Sequence, residues 1–209
     1  MGFTTSFMIL LMGIVAVILV LAVIVYYNRL TKLTNAYQNA LKQIDVQLKR
    51  RHDLIPNLVE TVENYVLQER KTLKEVIEQR NQAEQARQAM EQVSPDQGGA
   101  ALHQALSELG GAEQALSSLL RQLFALSEDY PDLQANENFR DLQEELAHTE
   151  NRIAYARQLY NDAIERYNNA CTLVPSNFVA MLFGFRSGAY LDFENQQTLE
   201  QVPSVSMTA

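Results

Sequence analysis

The residues able to do bond chemistry in this chain are few. Histidine occurs at His52, His103 and His148, and cysteine only at Cys171. His52 is followed by Asp53, a pair that could serve as a base or a metal ligand. Adjacent residues on a helix point about 100° apart, however, so the two side chains do not converge. Asp45, Lys49 and His52 do share a face, at spacings of 4 and 3, and a salt-bridged helix surface accounts for them. His148 follows Glu144 and Glu145, but a di-iron bundle needs Glu-x-x-His on two helices, and no second such helix occurs. The sequence contains no His-Glu-x-x-His, no Gly-rich phosphate loop and no Gly-x-Ser-x-Gly. A single cysteine excludes an internal disulfide and a Cys-based zinc site, and Cys171 is expected to be a small buried residue. The expectation is therefore a protein that is not an enzyme, with no catalytic residue, metal site or cofactor.

Composition narrows the class further. The 209 residues give room for one domain, or one domain with an anchor. With 17 basic and 25 acidic residues the net charge is −8, which argues against a nucleic-acid partner. Charge is uneven: residues 28–80 hold 10 basic and 7 acidic groups, and residues 81–209 hold 7 and 18.

Phe7 to Tyr27 reads FMILLMGIVAVILVLAVIVYY, 21 residues with no charge and no proline. At about 1.5 Å per residue this spans roughly 30 Å, the hydrocarbon thickness of a bilayer. A cleaved signal peptide needs a basic start and a shorter apolar run, and Met1 to Ser6 carries no Lys or Arg. Residues 1–27 are thus expected to form a retained transmembrane anchor. Tyr26, Tyr27, Arg29 and Lys32 sit where an aromatic and basic interfacial belt belongs. Basic residues lie only on the C-terminal side of the span. This predicts a single-pass protein of the cell (inner) membrane, with its N-terminus outside and its domain in the cytoplasm. The start MGFTTS fits a myristoylation pattern, which a spanning helix makes redundant.

Beyond Tyr27 the periodicity is helical throughout. Leu30, Leu33, Tyr37, Leu41, Ile44 and Leu48 form one stripe, continuous with the span. Pro56 interrupts it and either kinks or ends the helix. A second segment resumes in phase at Leu58 and runs to about Val93. Its last part, QRNQAEQARQAMEQ, has little to bury and is expected to project beyond the core. Residues 94–99 carry loop chemistry. A third segment covers Ala100 to Asp129, and a fourth runs to about Val174 with Asn136 as its N-cap. The fold class is all-α: an N-terminal transmembrane helix continuing into a long antiparallel four-helix bundle over residues 28–174. An apolar C-terminal hook over 175–194 and a loose tail over 195–209 complete the layout.

Three stretches carry a resemblance: QIDVQLKRRHDLIPNLVETV (Gln43 to Val62), YPDLQANENFRDLQEELAHTENRIAYARQLYNDAIERYN (Tyr130 to Asn168) and VPSNFVAMLFGF (Val174 to Phe185). With the YNRL after the span, they resemble the LemA family of bacterial membrane proteins over most of the chain. The resemblance implies an N-terminal transmembrane helix, a cytoplasmic bundle of four helices and no established catalytic activity. Some relatives serve membrane-compartment organisation, and others lie near genes for membrane metallopeptidases.

The working parts are then expected to be contact surfaces. Candidate packing or interface residues are Arg50, His52, Asp53, Pro56 and Asn57 around the proline, and Arg152 and Tyr160 on the fourth segment. Phe178, Phe183 and Phe185 in the hook complete the set. The segment from Phe178 to Phe185 either folds back to cap the bundle or makes a subunit contact, since eight uncharged residues are costly to expose. The expected partners are the lipid bilayer, further copies of the chain in a homo-oligomer and another membrane protein. The expected function is a membrane-anchored scaffold that self-associates through helical surfaces. The alternative is an adaptor or regulator of a membrane protease or signalling protein.

Overall fold

The computed structural model describes residues 2–66, 69–93 and 99–191. Of the loop expected at 94–99, residues 94–98 lie outside the described residues and Gly99 opens α3; the last residues of the hook and the tail also lie outside them. Among the described residues six helices follow in order: α1 (Gly2–Glu63), α2 (Arg70–Gln92), α3 (Gly99–Ser127), α4 (Pro131–Gln134), α5 (Glu137–Thr172) and α6 (Ser176–Phe183). No strand occurs among the described residues, and the chain is all-α.

Helix α1 runs for 62 residues with Pro56 inside it. Proline has no N–H to bond the carbonyl of His52, one turn earlier, and that carbonyl should be an orphan. It is not, because Arg80 of α2 donates from Nε to the His52 carbonyl oxygen at 3.0 Å. A side chain from another helix replaces the hydrogen bond that the proline removes, and the helix continues. It stops after Glu63, where Tyr65 and Val66 both donate to the Val62 carbonyl, at 2.9 and 3.0 Å. Of the two expectations for Pro56, an end of the helix there is not what occurs: the second segment, read from Leu58, begins at Arg70, and the break falls about two turns after the proline, between Glu63 and Arg70.

The described residues divide into two units, one within 2–44 and 154–190, the other within 45–153 with Leu191. In the second unit, the end of α1, α2, α3 and the first half of α5 form an antiparallel four-helix bundle. The directions follow from the pairings. Asp53, His52 and Asp45 of α1 meet Arg80, Glu84 and Arg87 of α2, so one helix descends as the other rises. Tyr65, Arg50 and Arg51 likewise meet Asn136, Glu145 and Glu150 of α5. The core takes Ile55, Leu58 and Val62 from α1, Leu73 and Val76 from α2, Leu116, Leu120 and Leu123 from α3, and Phe139 and Leu146 from α5; Leu133 of α4 is buried among them. Each such side chain contributes about 1.5–3 kcal/mol on removal from water.

The polar end of α2 does not project. Ala83, Arg87 and Met90 are buried, continuing the stripe of Leu73 and Val76 at steps of 3, 7, 4 and 3, the seven being two turns. An arginine can hold such a position by laying its methylene stem along the core while its head finds partners.

Asn136 caps α5: the Phe139 N–H donates to its Oδ1 at 3.0 Å, while its Nδ2 donates to the Tyr65 hydroxyl at 2.9 Å. Asn136→Ala removes both bonds, and the expected cost is about 1 kcal/mol, read as a lowered urea midpoint with unchanged slope.

In the first unit, α1 up to Ile44, α5 from Ala154 and α6 pack together. Leu30, Ala170, Val179 and Ala180 are buried, with Val23, Tyr26, Leu33, Cys171 and Phe185 against them. The Tyr37 ring lies 6.5 Å from that of Tyr160 and 5.0 Å from that of Tyr167. Tyr160 donates to the Ala189 carbonyl at 2.7 Å, and the Asn168 amide bonds both the N–H and the carbonyl of Gly188, at 2.8 and 3.0 Å. A Cβ at position 188 would collide with the Ile164 side chain, so glycine is what lets this segment lie so close to α5. The apolar run of α1 is different. It is long and apolar enough to cross a membrane, and no part of its most apolar window is buried within the protein.

Candidate functional site

Two consecutive residues of α1, Arg51 and His52, form the centre of a buried polar layer in the second unit. His52 is fully buried, and its two ring nitrogens face carboxylates on opposite edges: Glu84 of α2 at 2.8 Å from Nδ1, Glu113 of α3 at 2.6 Å from Nε2. Carboxylates only accept, so both contacts are made when each nitrogen carries a proton. Arg51, 6% exposed, donates to the other oxygen of Glu113 at 3.3 Å, to Ser117 Oγ at 2.8 Å and to Glu150 of α5 at 2.9 Å. Arg87 of α2 adds pairs to Glu84 and to Asp45. All four helices of the bundle are thereby joined at one level. Glu113 is itself 1% exposed, and its two oxygens are divided between Arg51 and His52.

This corrects the expectation of a salt-bridged surface at Asp45, Lys49 and His52, because His52 lies in the interior. Its neighbour in the chain that shares a partner with it is Arg51. Asp53 faces outward, 64% exposed, with Arg80 at 4.0 Å. Pro56, Asn57 and Arg152 are exposed, and the half-exposed Arg50 pairs with Glu145 at the surface, a class of contact worth little.

The layer can hold charge inside the bundle, because each ion has partners. It is not arranged for metal binding: Glu84 and Glu113 approach opposite edges of the imidazole and do not converge on a common point. Hydrogen bonding to Arg87 holds the Glu84 carboxyl far below its ordinary value of 4.5, burial opposes this, and His52 and Gln88 add to it. A carboxyl depressed in the folded state binds protons more readily when unfolded. Its contribution to stability is therefore complete above about 4.5 and is lost as pH falls below it. The thermal midpoint is expected to drop as the protein is acidified below that value, and less steeply in Glu84→Gln; parallel curves for the two proteins would refute this.

The remaining candidates gather in the first unit. Tyr27 meets Phe183 and Phe185 edge-on, with centroids 4.9 and 5.7 Å apart. Arg29 and Lys32 are exposed on the same helix, and Phe178 is exposed on α6. Tyr160 is fully buried on α5.

Helix α1 carries an exposed apolar run, and Arg51, His52 and Glu113 in the bundle's interior bond one another. Together these define a membrane-associated helical protein. The family model described as LemA family matches residues 40–207, and the chain belongs to that family. Among curated proteins it is similar to Magnetosome protein MamQ 2 and Magnetosome protein MamQ 1 of Paramagnetospirillum magneticum. Each is 28% identical, covering 78% of this chain and 64% of the relative. It is also similar to Magnetosome protein MamQ of Magnetospirillum gryphiswaldense, 27% identical with the same coverage. The chain thus spans 64% of the length of these relatives.

The sequence reading missed Arg51, Glu113, Glu84 and Arg87. A signal was present. Leu102, Leu106 and Leu109 step toward Leu116, Leu120 and Leu123 with position 113 between them, so Glu113 occupies a stripe position. A charged residue on an apolar stripe is buried with its helix and must find a partner.

Proposed function

We propose that this protein is a membrane-anchored, non-enzymatic scaffold that self-associates through the surfaces of its helices, with its N-terminus outside and the helical bundle in the cytoplasm of a bacterial cell. The observation that carries this reading is the continuity of α1, which is at once an exposed apolar run and a supplier of core residues such as Ile55 and Leu58. The buried polar side chains Arg51, His52 and Glu113 are spent on one another, which favours contact surfaces over reactive groups as the working parts. Copies tethered by parallel anchors also meet at a raised effective concentration, so weak lateral contacts suffice for assembly. The relatives named as magnetosome proteins favour the same membrane setting.

Native mass spectrometry of the full chain in mild detergent is expected to show oligomers that grow with concentration; monomer alone across the range overturns self-association. Labelling of a cysteine introduced at the exposed Asp53 from the cytoplasmic side only is the result expected for the orientation, and labelling from outside reverses it.

A further inference from the structure

Helix α6 has two apolar faces. One holds Ser176, Val179 and Ala180, all buried. The other holds Phe178, Met181 and Leu182 at helical spacings of 3 and 4, exposed by 65%, 81% and 73%. A helix whose outer face meets water places polar residues there, as α2 does with Lys71, Glu75 and Gln88. The outer face of α6 has none. Leu173 and Val174, just before it in the chain, are also exposed.

Its position decides what covers it. Val179 and Ala180 pack with Leu30, Val23 and Tyr26 of α1, and Phe183 packs edge-on against Tyr27. These α1 residues mark the end of the apolar run, so α6 lies against the part of α1 that passes from apolar to polar sequence. Three basic groups follow the apolar segments in the chain: Arg29 and Lys32 on α1 just after the run, and Arg186 just after α6, each exposed. Gly184, at φ 76°, ends α6 in the left-handed conformation and directs the chain toward Arg186.

We infer that the exposed face of α6 is a second membrane contact, inserted in the interfacial layer of the leaflet at the C-terminal end of the span. Arg29, Lys32 and Arg186 are then placed toward the lipid phosphates. This rests on the reading that α1 crosses the bilayer. Amphipathic helices of this kind sink about 5–10 Å into the headgroup and acyl boundary, where aromatic residues such as Phe178 and Tyr27 sit well. The α6 contact would set the depth and tilt of the anchor, which a lone spanning helix leaves free.

The chain has no tryptophan, so a single one reports its own surroundings. The experiment uses the full chain in phosphatidylcholine–phosphatidylglycerol vesicles, with bromines placed on the lipid acyl chains either close to the carbonyls or near the ends. Leu182→Trp and Met181→Trp report α6, Leu19→Trp reports the span, and Val46→Trp, at an exposed position of the other unit, reports water. The expected result is blue-shifted emission from both α6 variants, with greater loss of intensity to shallow than to deep bromines, while Val46→Trp is unaffected. Water-like, unquenched emission from both α6 variants, beside a quenched Leu19→Trp, overturns the α6 contact and leaves the span intact. Blue-shifted but unquenched emission also overturns it, in favour of a protein cover such as a second copy. An unquenched Leu19→Trp overturns the spanning reading itself and the α6 contact with it.

Discussion

Glu113→Ala is expected to lower the stability of the bundle by about 3–5 kcal/mol, the range for removing one member of a buried ion group. The cost comes from what is left behind. Arg51 and His52 both lose a charged partner, and both are sealed from water, at 6% and 0% exposure. Ser117 and Glu150 still accept from Arg51, and Glu84 still faces one edge of His52, so the layer is broken at its shared centre while its periphery remains. Glu113→Gln keeps the shape and one accepting oxygen but turns an N–H₂ toward a donor, and is expected to fall between the alanine variant and the parent. The combined change Arg51→Met, His52→Leu, Glu113→Leu removes the three polar side chains together and is expected to recover most of the loss, because such replacements are often neutral or stabilising. Urea unfolding of the full chain in detergent, followed by circular dichroism, measures all three. A triple variant no more stable than Glu113→Ala would show that the layer supplies net stability instead of selecting a register.

Register is the better account of why these charges lie inside. On α1 the stripe from Ile44 and Leu48 to Ile55 and Leu58 passes through Arg51 and His52; on α3 it passes through Glu113; on α5, from Leu146 to Ile153, it passes through the buried Thr149. A bundle of leucines tolerates sliding by a turn, since one apolar layer resembles the next. One polar layer does not, because a slip of α3 against α1 would bury Glu113 among leucines without a cation. The same logic is established for single polar positions in coiled coils.

The helices themselves were legible in the sequence. The stripes and the Asn136 cap belong to local periodicity and local hydrogen bonding, which a sequence displays directly. The path through Pro56 was not legible, because it depends on Arg80, 24 residues away in the chain and on another helix. The burial of His52 was hidden for a related reason. Helical spacing shows which residues share a face, but Asp45, Lys49 and His52 share theirs while only His52 reaches the interior, and that depends on which carboxylates α2 and α3 bring to the same level. The end of α2 misled through composition: fourteen residues rich in Gln, Glu and Arg read as surface, yet Ala83, Arg87 and Met90 suffice for a narrow buried edge.

The first unit offers the second large effect. Tyr160→Ala is expected to cost about 3–5 kcal/mol, as truncation of a fully buried aromatic does, whereas Tyr160→Phe should cost about 1 kcal/mol, the worth of one hydrogen bond. The difference separates two roles of one side chain. Its ring fills space beside Tyr37 and on the face of α5 that also carries Ile164 and Tyr167, and removing it leaves a cavity between helices that cannot fully close. Its hydroxyl, pushed well above its ordinary range by burial and by Tyr37 alongside, stays protonated and donates to the Ala189 carbonyl. Loss of that single bond should not release the segment, because Asn168 grips the adjacent Gly188 peptide at both its N–H and its carbonyl. Thermal unfolding of the two variants in detergent decides the matter. If phenylalanine proves as damaging as alanine, the hydrogen bond to Ala189, and not the packing of the ring, holds this end of the protein together.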